Sequence, residues 1–222
     1  MRQVFKLYLY VKRIIDFIIS LLGIVILSPV FLVLIILIKI DSKGPIFFKQ
    51  KRVGKDKRYF NIFKFRTMRI DTPKDTPTHM LENPEQYITK VGRFLRKTSL
   101  DELPQIANIL IGHMSCVGPR PALWNQFDLV NERDKYIGKY GLTVNGIRPG
   151  LTGWAQINGR DELPIEEKAR LDGEYIKKIS FLFDIKCFLG TFISVIKSDG
   201  VVEGGTGELE KAKAKEASEV KK

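Results

Sequence analysis

The amino-acid sequence predicts a mostly helical α+β fold in which a small, irregular cytoplasmic domain follows an N-terminal membrane segment. Three observations predict it: 22 residues without a charge from Phe17 to Ile38, short alternating strands between 45 and 67, and helical periodicity over much of the remainder. The 222 residues suffice for one globular domain with an attachment rather than two large domains. We therefore expect a membrane-associated segment at 1–40, a cytoplasmic domain at 41–203 and a disordered tail at 204–222.

The apolar segment is long enough to cross a membrane but has a proline near its middle. As a straight helix it would measure about 33 Å, against a hydrocarbon core of about 30 Å. Pro29 lacks a backbone N–H and its ring clashes with the preceding turn, so we expect a break at Ser28–Pro29. The segment is then either a kinked helix that spans the bilayer or a re-entrant hairpin of two half-helices.

The charges around this segment favour the hairpin. Basic residues precede and follow it, and each cluster carries the signal for the cytoplasmic side of a membrane. They are Arg2, Lys6, Lys12 and Arg13 before it, and Lys39, Lys43, Lys49, Lys51 and Arg52 after it. A spanning helix would have to place one cluster across the bilayer. Asp16 at the entrance is expected either to pair with Lys12 or Arg13 or to lie solvated among the headgroups.

The composition narrows the class of partner. A formal net charge of +12 indicates a polyanion, which could be nucleic acid, an acidic membrane face or a phosphorylated substrate. No pattern typical of a nucleic-acid-binding module occurs, so nucleic acid is not expected. The two cysteines, Cys116 and Cys187, have neither a metal-ligand nor a redox-motif spacing and are expected to be free thiols in a reducing compartment.

The rest of the chain is expected to alternate short strands, helices and rigid turns. Lys64 and Arg66 would share one face of a strand, where they would approach a phosphate, a lipid headgroup or only solvent. Residues 71–86 should form a long loop, either a substrate lid or an insertion. A helical pattern at 88–113 is interrupted near 98–104, and a second runs from 165 to 197. The end of the second would pack in the core or lie in the membrane interface.

Two adjacent carboxylates, Asp101 and Glu102, lie among basic residues in the interruption. One interpretation is structural, because Ser99 and Glu102 have the spacing of a capping box at a helix N-terminus. Proline is favoured at the first helical position, however, so Pro104 would leave both carboxylates just outside the helix. They would then face its positive end, where a phosphate, or an acyl phosphate formed on an aspartate, is stabilised.

Five motifs in order resemble one known family. The basic-flanked segment with Ser28–Pro29 is followed by Lys-Phe-Arg-Thr-Met at 64–68, Ser-Leu-Asp-Glu-Leu-Pro-Gln at 99–105, Val-Gly-Pro-Arg-Pro at 117–121 and Arg-Pro-Gly-Leu-Thr-Gly at 148–153. Together they are similar to the bacterial sugar transferases called small monotopic phosphoglycosyl transferases, which begin glycan and polysaccharide assembly. The resemblance implies a UDP-sugar, undecaprenyl phosphate (a polyprenol phosphate) and membrane phospholipid as partners, with downstream glycosyltransferases as further candidates. It also implies the cytoplasmic face of the bacterial inner membrane.

The resemblance further implies a covalent mechanism. In the family the aspartate of the Asp-Glu pair is the nucleophile, so Asp101 would attack the β-phosphorus of the UDP-sugar, expel UMP and carry the sugar phosphate to the lipid. Mg²⁺ bound at Asp101, together with Arg96 and Arg120 on phosphate groups, would supply the countercharge. Glu102 would assist the metal, orient Asp101 or manage a proton.

Three further basic residues are candidate substrate contacts: Lys64, Arg66 and Arg148. Arg148 would alternatively order its own Pro-Gly loop.

Two other functions fit parts of the sequence. One is a non-catalytic, membrane-tethered adaptor that binds anionic lipid or a partner enzyme. The other is a glycosyltransferase that moves only the sugar, although the sequence has neither Asp-x-Asp nor Gly-x-Gly-x-x-Gly.

Overall fold

A computed structural model describes residues 2–72, 84–159 and 163–197. Most of the loop expected at 71–86, and the tail expected at 204–222, lie outside these ranges. Within them the chain is mostly helical with two small sheets, which confirms the mostly helical α+β class. The elements are α1 (Arg2–Asp41), β1 (Phe47–Val53), β2 (Tyr59–Phe65), α2 (Lys90–Lys97), α3 (Gln105–Leu110), β3 (Ser115–Val117), α4 (Phe127–Asp134), β4 (Gly150–Thr152), α5 (Trp154–Ile157), α6 (Ile165–Lys178) and α7 (Phe181–Lys197).

The apolar segment lies within the single 40-residue helix α1, which continues through Pro29. Two half-helices joined by a non-helical link are therefore not what the backbone adopts. The Ser28 hydroxyl donates to the Val25 carbonyl at 2.8 Å, and this is the carbonyl that the missing N–H of Pro29 would otherwise leave without its helical donor. From Phe5 to Asp41 the helix is long and apolar enough to cross a membrane, by length and composition. Its re-entrant placement stays a prediction.

One face of α1 packs on the rest of the chain, and its contacts with the hydrophobic core lie mainly towards the two ends of the helix. Near its start, Phe5, Tyr8 and Leu9 contact a core to which β3, α6 and α7 contribute. Near its end, Leu34 and Ile38 are buried against Phe65 and Leu95. The opposite face is apolar and exposed, and includes Leu22, Val25, Ile26, Leu32 and Ile36. The exposed face of α1 is therefore suited to contact lipid, whereas the opposite face packs on protein.

Polar contacts also attach the start of α1 to the domain. Asp184 of α7 accepts hydrogen bonds from Tyr8 at 2.6 Å, from Lys12 at 2.5 Å and from Tyr175 of α6 at 2.6 Å. Asp16, expected to pair with a neighbouring base or to be solvated, is instead buried and accepts the backbone N–H of Cys116 at 2.9 Å. The expectation was wrong because it considered only neighbours along the helix, whereas the partner lies 100 residues away.

The strands confirm the pattern expected at 45–67 and bring distant motifs together. β1 and β2 form an antiparallel hairpin in which Phe48 lies opposite Lys64. β3 and β4 pair in parallel, which places the motif at 117–121 beside that at 148–153. A Cβ added to Gly150 would lie 2.1 Å from the backbone nitrogen of Gly118, so the two turns approach as closely as glycine permits.

The last helical stretch is two helices rather than one, because the backbone leaves the helical conformation at Ile179. α7 uses both of the environments considered for it. Cys187 and Asp184 lie in the core, whereas the other side of the helix exposes large apolar residues. These are Phe181, Leu182, Ile185, Phe188, Leu189 and Ile193. Such an exposed apolar face is typical of a helix that contacts a membrane or a partner.

Candidate active site

The turn between α2 and α3 presents the two carboxylates. Ser99 has a left-handed backbone (φ 56°), Asp101 and Glu102 lie in a 3₁₀ turn at Leu100–Glu102, and Pro104 comes directly before α3. The interruption expected near 98–104 is thus confirmed. The capping-box interpretation is wrong, because the Ser99 side chain makes no capping hydrogen bond and the Glu102 carboxylate is bound by two cations from elsewhere in the fold.

Glu102 is held by Lys64 and Arg120. Lys64 Nζ lies 2.8 Å from Glu102 Oε1, and the Arg120 guanidinium contacts both carboxylate oxygens, at 2.7 Å and 3.3 Å. Burial alone would raise the pKa of Glu102, but Arg120 and Lys64 outweigh it and hold that pKa well below the usual range. These contacts therefore stabilise the ionised form of Glu102, which binds both cations.

Asp101 has a different environment although it is the next residue. It is 8% exposed, and Lys64 Nζ lies 3.4 Å from its Oδ2, farther than from Glu102. Burial raises the pKa of Asp101, the Glu102 charge raises it further, and Lys64 and Arg96 oppose the rise. Adjacent carboxylates whose environments push their pKa values apart are typical of groups with separate catalytic roles. Asp101 is the one with the weaker cation contact.

Arg96 reaches the same region from α2. Its Nε donates to the Thr67 hydroxyl at 2.9 Å, and its charge acts on Asp101. Thr67 is buried and lies within the motif at 64–68, but no pattern in the sequence distinguishes it from its neighbours. Its carbonyl also meets α2, since a Cβ on Gly92 would lie 2.1 Å from Thr67 O. This close approach fixes Arg96 relative to the strand end that follows Lys64.

The structure brings together Lys64, Arg96, Asp101, Glu102 and Arg120, and places two other candidates elsewhere. Arg66 donates to the carbonyls of Ser42 and Lys43, each at 2.7 Å, just after α1 ends. It does not share a site with Lys64, because β2 ends at Phe65.

The Arg148 Nε donates to the Gly112 carbonyl at 2.8 Å, and both roles considered for Arg148 stay predictions. Arg13 binds the neighbouring carbonyls of Ile109 and Leu110. Arg13 therefore contacts the C-terminal end of α3, where the helix dipole favours positive charge, and Arg148 contacts the turn that follows α3.

The same geometry tests whether a metal ion fits. Among residues 2–72, 84–159 and 163–197, no group of three or more His, Cys, Asp or Glu side chains could hold one. Both oxygens of Glu102 already contact cations, which leaves Asp101 as the carboxylate able to share an ion. Mg²⁺ commonly binds through one or two carboxylates together with substrate phosphates and water. The residues thus fit an ion shared with a diphosphate rather than a closed protein cage.

Comparison with known proteins identifies relatives over most of the chain. The family described as bacterial sugar transferase matches residues 7–198. The chain is 39% identical over 191 residues to the UDP-glucose:undecaprenyl-phosphate glucose-1-phosphate transferase of Escherichia coli strain K12, covering 84% of this chain and 39% of that protein. It is 37% identical over 190 residues to the uncharacterized sugar transferase EpsL of Bacillus subtilis strain 168, covering 86% of this chain and 89% of that protein.

A third relative is named for a different sugar. The UDP-N-acetylgalactosamine-undecaprenyl-phosphate N-acetylgalactosaminephosphotransferase of Aeromonas hydrophila is 34% identical over 197 residues, covering 87% of this chain and 45% of that protein. The chain therefore spans less than half of two of these relatives and nearly all of the third. The match to 7–198, together with the site built from the same motifs, confirms the resemblance: the chain belongs to the bacterial sugar transferase family.

Proposed function

We propose that this protein is a phosphoglycosyl transferase that moves a sugar 1-phosphate from a UDP-sugar to undecaprenyl phosphate and releases UMP. The observation that carries the proposal is the difference between two neighbouring carboxylates. Glu102 is neutralised by Lys64 and Arg120. Asp101 is buried beside them, and its contact with Lys64 is longer, at 3.4 Å. The names of the Escherichia and Aeromonas relatives support the reaction class and differ in the sugar.

The reaction would proceed by two displacements at one phosphorus. A carboxylate oxygen of Asp101 attacks the β-phosphorus, the bond from that phosphorus to the bridging oxygen breaks, and UMP leaves with the electron pair. The sugar phosphate is then an acyl phosphate on Asp101. An oxygen of undecaprenyl phosphate attacks the same phosphorus, the bond to Asp101 breaks, and the carboxylate is regenerated. Splitting one transfer into two steps in this way is the advantage of covalent catalysis.

The basic residues of the site would hold the anions that this reaction brings together. Lys64, Arg96 and Arg120 surround the carboxylates from three separate elements, and an arginine fork matches the geometry of phosphate oxygens. Mg²⁺ shared between Asp101 and the diphosphate would supply further charge neutralisation. Because Glu102 occupies Arg120 and Lys64 before substrate arrives, these cations are prepared in position rather than recruited.

The same fold supports a re-entrant membrane placement. The two ends of α1 bind one domain: Lys12 contacts Asp184, and Asp41 Oδ2 accepts the N–H of Val91 at 3.0 Å. Along a straight helix these ends would be about 44 Å apart, more than a hydrocarbon core of about 30 Å. A charged domain does not enter the hydrocarbon core, so a domain that binds both ends of α1 keeps both ends on its own side of the membrane. We propose that α1 dips into the inner membrane from the cytoplasmic face, with exposed Ser28 and Pro29 at its deepest part.

A product assay tests the function. Purified protein, undecaprenyl phosphate, Mg²⁺ and each of several UDP-sugars should yield UMP and a lipid-linked sugar diphosphate. Asp101→Asn should abolish UMP release, because an amide is a poor nucleophile, and Glu85→Gln, on the exposed surface, is the matched control. A UDP-sugar labelled in its β-phosphate should leave label on the wild-type protein but not on Asp101→Asn. Release of UDP, or full turnover by Asp101→Asn, would contradict the proposal.

A further inference from the structure

The turn that carries Arg120 is held by its carbonyl oxygens. Four consecutive carbonyls, from Pro119 to Ala122, each accept a hydrogen bond from a different residue. In chain order the donors are Gly150 N at 2.9 Å, Arg133 Nη2 at 2.9 Å, Arg52 Nη1 at 3.0 Å and Val53 N at 2.9 Å. The prolines on either side of Arg120 have no N–H to donate. The backbone around Arg120 is therefore fixed from strands β1 and β4 and from helix α4.

One of these donors belongs to a buried ion pair. Arg133 is 5% exposed and Asp172 is 1% exposed, and Arg133 Nε and Nη2 contact Asp172 Oδ2 at 2.9 Å and 2.6 Å. The pair joins α4 to α6. The Nη2 of Arg133 also donates to the Arg120 carbonyl. Burying two charges costs desolvation that their attraction often fails to recover, so such a pair is poor evidence for stability alone. Its geometry favours a role in fixing position.

The second arginine connects the turn to the strand pair that carries Lys64. Arg52 donates to Gln50 Oε1 at 2.6 Å and to the Pro121 carbonyl. Gln50 and Arg52 lie on the same face of β1 as Phe48, which is paired with Lys64. Both cations on Glu102 are thus attached to one hairpin, Lys64 directly and Arg120 through Arg52.

We propose that Arg52 and the pair Arg133–Asp172 are positioning residues for Arg120. Bound from two sides, Arg120 contacts Glu102, and the neighbouring Asp101 carboxylate keeps its longer, 3.4 Å contact with Lys64. A turn with a released carbonyl would let the guanidinium move, and a shift of about 1 Å at a catalytic group can cost on the order of 100-fold in rate. This inference rests on the proposed function, because it deepens the account of the same site.

A double-mutant cycle separates positioning from general structural support. In Arg133→Lys a positive charge remains beside Asp172, but the shorter donor set cannot also reach the Arg120 carbonyl. In Arg52→Lys one of two contacts is lost, that with the Pro121 carbonyl or that with Gln50. UMP release is measured for each variant alone and combined with Arg120→Gln, with enzyme in excess so that slow turnover can be quantified. Arg170→Lys, whose side chain is exposed on α6, is the matched control for substitution near Asp172.

Each variant should lower the single-turnover rate constant of UMP release by about 10- to 100-fold when Arg120 is present and by less than about 3-fold in Arg120→Gln, with melting temperatures close to that of the wild type. The control should match the wild type in both backgrounds. Equal losses in the two backgrounds, no loss in either, or failure of both lysine variants to fold would overturn the positioning role. Absence of UMP release by the wild type would instead defeat the proposed function itself.

Discussion

The hydroxyl of Ser28 donates a hydrogen bond to the carbonyl of Val25, the acceptor that Pro29 deprives of its helical partner. This contact explains how α1 passes through a proline in its most exposed stretch without leaving the helical conformation. In a hydrocarbon environment an unsatisfied carbonyl is costly, so the serine compensates for the proline locally. The two residues act as a unit, which makes their effects on stability interdependent.

The interdependence of Ser28 and Pro29 can be measured. Ser28→Ala should lower the free energy of unfolding in detergent by about 1 kcal/mol, because it leaves the Val25 carbonyl unsatisfied. In a Pro29→Ala background the N–H of residue 29 returns, and the same substitution should cost less than half as much. Ser20→Ala is the control, since the Phe17 carbonyl that Ser20 contacts keeps the helical donor of residue 21. Equal costs in both backgrounds would contradict the compensation.

Topology gives a second prediction. Cysteines introduced at Gln3 and Lys43, both exposed and on opposite sides of the apolar segment, should both be protected from a membrane-impermeant maleimide in intact cells. Both should react after permeabilisation, because the domain binds the two ends of α1 on one side. Labelling of one position alone in intact cells would show that α1 spans the membrane, and the parent protein supplies the background.

The native thiols should be almost unreactive. Burial raises the pKa of Cys116 to about 12, with Asp16 adding to the rise, and burial likewise raises the pKa of Cys187 to about 12. At pH 8 an ordinary cysteine is about one quarter thiolate, whereas a group with this pKa is ionised in about one molecule in ten thousand. Native protein should therefore react slowly with a disulfide reagent, faster as the pH rises towards 12. Denatured protein should react promptly and release two equivalents of the reagent's thiolate, one for each cysteine. Rapid reaction of the native form at pH 8 would contradict the buried environment of the two thiols.

Asp184 should be the most sensitive anchor of α1. Asp184→Ala leaves Lys12, Tyr8 and Tyr175 without their shared acceptor and should cost about 3–5 kcal/mol in the free energy of unfolding. Lys55→Ala removes a long, exposed pair with Asp56 and should change the free energy of unfolding by less than about 0.5 kcal/mol. Chemical denaturation of both variants in detergent compares them. Similar losses for the two would remove Asp184 from the role of anchor.

Features that depend on neighbouring residues could be predicted from the sequence alone. The apolar segment, the strands at 45–67, the interruption before Pro104 and the site residues Lys64, Asp101, Glu102 and Arg120 follow from periodicity, turn chemistry and motif resemblance. These signals are local, because the helical period, the strand alternation and the missing proline N–H are properties of a few consecutive residues.

Which charged groups contact each other could be learned only from the folded chain. Arg66 and Arg148 lie on backbone carbonyls away from the carboxylates, and Asp16 pairs with a backbone N–H 100 residues distant. Arg133 and Asp172 are separated by 39 residues and have no local signal, yet they support Arg120. A buried charge needs a hydrogen-bond partner because it has lost its contacts with water. Which donor or acceptor lies close enough depends on how the helices and turns pack. That choice is a property of the folded chain rather than of any short segment.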